Sequence, residues 1–85
     1  MAYYTYGKWH IPDYMKDGIE NYLERRIRPG SFLLSILSNN FAEAVVNADR
    51  ENLDNLPVYG YWLWNEVPSQ AWGSPEKVEK WLNHE

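Results

Sequence analysis

Apolar residues recur at helical rather than strand spacing along most of this chain. Met15, Ile19, Tyr22, Leu23 and Ile27 follow at intervals of four, three, one and four, which is one face of a helix. That helix is predicted to begin near Pro12, whose fixed φ suits a first helical position, with Asp13 in the first turn. Arg25, Arg26 and Arg28 crowd its last turn, and Pro29-Gly30 ends it. Ser31 is placed to cap a second, short helix through Phe32, Leu33, Leu34, Ile36 and Leu37, apolar nearly all round and therefore buried.

Ser38-Asn39-Asn40 interrupts that run, and either Asn can cap a third helix whose Phe41, Ala44, Val45 and Ala48 share a face. Asp49 reads as a further cap. Leu53, Leu56, Gly60, Leu63 and Val67 then keep a three-to-four rhythm, predicting a longer helix through about Glu66. Pro57 interrupts it, either as a kink or as a fresh start after Asn55. Ser74-Pro75-Glu76 opens a terminal helix with Val78, Trp81 and Leu82 inward. The pattern predicts an all-α fold, one compact domain of four to five short helices over residues 12–85. Residues 1–11 precede it as an aromatic arm around Gly7, either docked in extended form or partly ordered.

Length narrows the picture. Eighty-five residues make one domain with a small core, a size at which disulfides, metals or partner subunits commonly add stability. Cysteine is absent, and His10 and His84 are the only imidazoles, so disulfides are excluded and a closed zinc site nearly so. Self-association is the remaining device, and a homo-oligomer is expected. Twelve acids against eight bases give a formal charge of −4, which disfavours general nucleic-acid binding. No stretch nears the roughly 20 apolar residues that span a bilayer, and the first residues lack the pattern of a secretory signal. A soluble, cytoplasmic protein with no membrane contact and no cofactor is the expectation.

Fourteen aromatics, five of them Trp, weight the chain toward gripping rather than bond-making. No Ser-His-Asp, Cys-His or metal-ligand set is visible, and the carboxylate pairs sit beside Lys and Arg on polar helix faces, so an enzyme is not expected. Two constellations remain. In the first, Arg25, Arg26 and Arg28 lie just before the Gly30-Ser31 turn. Three guanidiniums beside a helix start can hold phosphate, and Trp72 beside a second helix start can stack on a base, although Glu76 there repels an anion and the plainer reading has Trp72 folded over the Ser74 cap. The plainer reading has these arginines solvated and paired with Glu20 and Glu24. The second constellation is Tyr59, Tyr61, Trp62 and Trp64. Neighbours on a helix point about 100° apart, so the four cannot all face inward; one or two are left for water, a ligand or another chain, unless the arm, Trp72 and Trp81 cover them.

Several longer motifs carry a resemblance. They are Ile11-Pro12-Asp13-Tyr14-Met15 with Asp17-Gly18-Ile19, Pro29-Gly30-Ser31-Phe32-Leu33, Leu37-Ser38-Asn39-Asn40-Phe41, Asn47-Ala48-Asp49 with Asn52, Asn65-Glu66-Val67-Pro68-Ser69, and Trp72-Gly73-Ser74-Pro75-Glu76-Lys77-Val78. Over Ile11 to Leu82 the chain resembles a widespread group of small, mostly uncharacterised proteins encoded by phages and prophages. In that group a Gly tends to stand where Arg26 is and a Pro where Arg28 is, so the resemblance does not extend to the arginine cluster. It implies a phage accessory protein in the host cytoplasm. Joined to the residue chemistry, it leads to the expectation that the chain counters host defence by sequestering a nucleotide-type signal. The alternative is a protein–protein inhibitor or adaptor that binds a host defence protein through the aromatic patch, and the third is a small phage structural component.

Overall fold

The arm is where the fold departs from all-α. In the computed structural model, which describes residues 1–85, two strands form an antiparallel hairpin: β1 (Tyr4–Tyr6) and β2 (Trp9–Ile11). Tyr4 faces Ile11, Thr5 faces His10 and Tyr6 faces Trp9, which leaves Gly7-Lys8 as a two-residue turn. Gly7 holds φ at +61° in the first central position, where such turns favour glycine. The flanking residues are aromatic or β-branched, good strand formers that a helical reading passes over. Ile11 is fully buried and anchors the hairpin, while the His10 N–H donates to Asn55 Oδ1 at 2.9 Å.

Six α-helices follow, one more than the pattern predicts. They are α1 (Lys16–Arg25), α2 (Ser31–Leu37), α3 (Phe41–Asn47), α4 (Arg50–Asp54), α5 (Pro57–Glu66) and α6 (Pro75–Leu82), with single 3-10 turns at Asp13–Met15 and Ser69–Ala71. The extra helix comes from Pro57. Rather than kinking one long helix, it occupies the first turn of α5, where its missing N–H costs nothing, and α4 closes before it. Helix α1 stops two residues short of Ile27. Arg26 adopts a left-handed conformation, φ 57°, and the N–H groups of Arg26 and Ile27 both close on the Asn21 carbonyl, turning the chain out of the helix. Ile27 is therefore half exposed.

Caps mark the remaining boundaries. Asn40, Asp49 and Ser74 accept from the N–H groups of Glu43, Asn52 and Lys77, each three residues on. The predicted cap Ser31 instead lies inside the first turn of α2, preceded by an extended Gly30. Helix α2 runs through the centre as its composition demands, with Phe32, Leu33, Ile36 and Leu37 buried against Ile19, Tyr22, Val58 and Trp62 in one core. The Gly73 N–H closes the C-terminal end of α2 by donating to the Leu37 carbonyl at 2.8 Å, tying the α6 loop to the centre. No helix is long and apolar enough to cross a membrane.

Candidate functional site

The arginines are not gathered into one anion site. The Arg25 guanidinium turns back along its own helix to Asn21 Oδ1 at 2.8 Å. Arg26 lies over the Trp81 ring, its Cζ 3.6 Å from the ring centre, and donates to the Trp81 carbonyl at 2.8 Å. Arg28 pairs with Glu79 at 2.8 Å; the ion pair raises the Arg28 pKa and lowers that of Glu79, in both cases chiefly through the hydrogen bond between them. Two of the three guanidiniums are thus occupied in holding α6 to the end of α1. The ring that meets them is Trp81, whose own Nε1 donates to the Tyr22 carbonyl at 2.9 Å, and not Trp72. Trp72 is half-buried against the core. Glu20 and Glu24, the partners expected for the solvated alternative, take no part in these bonds.

Gly30 and Ser31 line a cavity of about 330 Å³ together with Tyr14, Met15, Asn47 and Asp49. Its charged group is a carboxylate. Asp49 accepts from the Tyr14 hydroxyl at 2.6 Å and from the Asn52 N–H at 2.8 Å, and these bonds, the tyrosine's first, hold its pKa below the ordinary range. No guanidinium reaches this cavity, and a carboxylate there repels phosphate.

The four aromatics of α5 divide cleanly. Tyr59 and Trp62 are core residues, edge-on to each other at 6.2 Å. The Tyr59 hydroxyl donates to buried Asn52 Oδ1 at 2.6 Å, and burial drives its pKa strongly upward, so it is a structural group. Tyr61 is covered in part by the hairpin: its ring stacks on Tyr6 at 3.8 Å and nearly parallel, with Trp9 at 6.4 Å. Trp64 is left in solvent, 80 % exposed.

The larger of these two openings is an apolar groove of about 380 Å³ between α3 and α5, floored by α2. Ile36, Tyr59 and Leu63 contribute core side chains; Phe41 and Ala44 form one wall, and Leu56, Pro57 and Gly60 the other. Its polar lining is Ser35, Asn39 and Asn40, and no charged side chain lines it. Phe41 is 73 % exposed at the edge, and Trp64 stands one helical turn beyond Gly60 on the same face of α5. The outer side of α3 adds exposed Ala42 and Val46, so the helix presents apolar side chains both to the groove and to water.

Gly60 sharpens the description. A mid-helix glycine costs about 1 kcal/mol relative to alanine. At Gly18 in α1 a Cβ would meet Leu33 at 3.8 Å, so α2 packs close against that turn; at Gly60 a Cβ would meet nothing within 4 Å. The backbone of α5 is bare where it faces the groove. No neighbour within the chain uses the gap.

Sequence reasoning named Trp64 and Tyr61 but missed Phe41, Ala44 and Leu56. Phe41 shares a helical face with Ala44 in the sequence pattern, but α3 packs on α2 so that Ala44 is buried and Phe41 stays outside. No group of three or more His, Cys, Asp or Glu side chains is placed to hold a metal ion. His10 Nε2 lies 2.8 Å from Glu51 Oε2 on the surface, latching the hairpin to α4. No protein family, curated protein or solved structure matches the chain.

Proposed function

We propose that this chain is a non-catalytic binding protein that docks a protein partner on the groove between α3 and α5, with Phe41 and Trp64 as its anchors. The observation that supports it is the groove itself: an uncharged, apolar trough with Phe41, 73 % exposed, at its edge, and exposed Trp64 one helical turn beyond Gly60 on the same face of α5. Aromatic anchors beside a desolvated pocket are what concentrates binding energy at protein interfaces. The resemblance to phage-encoded proteins directs the reading further, to an accessory protein that binds and inhibits a host defence protein in the cytoplasm of the infected cell. The left-handed turn at Arg26 accords with that resemblance, since it is a backbone position that favours glycine, the residue the group tends to carry there.

Sequestration of a nucleotide-type signal has less behind it. It needs Arg25, Arg26 and Arg28 free and convergent beside Gly30 and Ser31, and two of them already serve α6. Photo-crosslinking in cells that express the chain tests the docking reading. A benzophenone amino acid at position 41 or 64 is expected to give one discrete protein adduct, and the same group at Lys80 on α6 none. Identical adducts from all three positions, or no adduct from either groove position, would refute it. Calorimetry against cyclic oligonucleotides is expected to register no heat.

A further inference from the structure

We infer that the second cavity, walled by residues from the stretches 14–18, 29–33 and 47–52, binds a small neutral cyclic amide, a flat ring that presents C=O and N–H side by side. No residue lines both this cavity and the α3–α5 groove, so the inference stands apart from the docking reading. At about 330 Å³ the cavity falls at the lower end of the range that holds small molecules, about 300–1,000 Å³.

Among its lining residues one buried polar group has a poor partner. Asn52 is 2 % exposed, and its amide is held in one orientation. The buried Tyr59 hydroxyl donates to Oδ1 at 2.6 Å, which leaves Nδ2 directed to Met15, another lining residue. There the Met15 sulfur, 3.6 Å away, is the single acceptor that meets it. Thioether sulfur is a weak acceptor, and an amide nitrogen carries two N–H groups, so one of them has no partner within the chain. Buried donors are seldom left in that state. An oxygen acceptor brought from outside would complete the pairing.

The exposed part of the lining has the opposite character. Asp49 is exposed, and its two oxygens each accept one bond, from the Tyr14 hydroxyl at 2.6 Å and the Asn52 N–H at 2.8 Å. Those bonds favour the ionised carboxylate, which keeps lone pairs to spare and has no donor of its own. The Asn47 amide, whose nitrogen donates to Ser35 Oγ at 3.3 Å, adds a free carbonyl oxygen. A ligand that satisfies both sets carries an acceptor for Asn52 and a donor for Asp49. An ammonium or guanidinium has donors only and leaves Asn52 as it stands. A phosphate or carboxylate has acceptors only and meets Asp49 with like charge. A cyclic amide has one of each on adjacent atoms, and Asp49 and Asn52 stand three residues apart, joined by the cap bond at the start of α4. Its flat ring suits walls to which Tyr14 and Phe32 contribute aromatic side chains.

Proton–nitrogen NMR correlation spectra test the site, with uridine, inosine and 2-pyridone as probes. All three are uncharged and share the C=O and N–H edge; 2-pyridone carries it without a sugar. Each is expected to shift the Asn52 side-chain amide and the Ser31 and Asp49 backbone amides saturably, and to leave Phe41 and Gly60 in the groove unmoved. Methylating the ring N–H, in 3-methyluridine and 1-methylinosine, removes the donor to Asp49 and is expected to weaken binding about tenfold. Asp49→Asn retains a good cap for α4 and is expected to weaken uridine by about as much, with circular dichroism unchanged.

Equal binding of the methylated and parent nucleosides would overturn the inference, and that comparison holds even if Asp49→Asn fails to fold. Tighter binding of butylammonium than of the cyclic amides would make the cavity a cation site and overturn it too. Silence from all three probes at about 10 mM would do the same, whatever the crosslinking at positions 41 and 64 gives.

Discussion

Arg26 decides between an arginine kept for a ligand and one built into the fold, because two opposing effects at this residue can be weighed. Its left-handed backbone, φ 57°, costs a non-glycine residue about 1 kcal/mol, part of which glycine would return. Its side chain gives more. The guanidinium stacked at 3.6 Å on Trp81 contributes about 0.5–1 kcal/mol, and its charged hydrogen bond to the half-buried Trp81 carbonyl about 1.5 kcal/mol, the low end for such bonds. Arg26→Ala loses the side-chain contributions and keeps the backbone cost, so it should destabilise the fold by about 2 kcal/mol. For a domain of this length that lowers the melting temperature by about 10 °C. Arg26→Gly recovers some of the backbone term and should lie between Ala and the parent, and Arg25→Ala, confined to an exposed bond within α1, should stay within about 0.5 kcal/mol of it. Thermal and urea denaturation, followed by circular dichroism and Trp fluorescence, reads all three. A ligand arginine would behave otherwise: its removal would leave stability unchanged or raise it. If Arg26→Ala melts with the parent, or if Gly exceeds the parent, the side chain does not anchor α6 and the phosphate reading regains its ground.

Other outcomes follow from the same geometry. Tyr59→Phe strands the buried Asn52 Oδ1 without its 2.6 Å donor and should cost about 1–3 kcal/mol in urea denaturation with an unchanged slope; a change under 0.5 kcal/mol would refute that role. Asp49 and Glu79 both have carboxyl pKa values lowered in the folded state, so the stability they contribute is fully present above the unfolded carboxylate range and is lost as pH falls through their folded values. Acid unfolding should therefore set in below about pH 4 and be flattened in Asp49→Asn with Glu79→Gln; an identical acid limb in the double variant would count against both groups. Tyr61→Ala removes the ring that Tyr6 stacks on, and hydrogen exchange should then quicken at the β1–β2 amides while the α2 amides keep their protection. Equal quickening in both places would mean the hairpin is no separate unit.

What local chemistry controls was legible in the residue order. Caps at Asn40, Asp49 and Ser74 and the buried run of α2 are decided within three or four residues, by side chains that satisfy free N–H groups or by apolar spacing, whereas Pro57 marked a break without saying whether it kinks one helix or starts another. Gly7-Lys8 between aromatic and β-branched residues was also a hairpin signal, overlooked because its strands are only three residues long. Spacing on α5 required that some of its four aromatics lie outside. It could not say which, because that depends on the hairpin arriving over Tyr61 and on nothing arriving over Trp64.

The fate of the arginines and the existence of the groove were decided only by tertiary structure. Arg26 meets Trp81 and Arg28 meets Glu79 across more than fifty residues of chain, and no local rule encodes a partner at that separation. The groove arises where α3 packs on α2 without closing against α5. An apolar position is marked by its sequence, but whether its neighbour is the same molecule or another is set by where the helices come to rest.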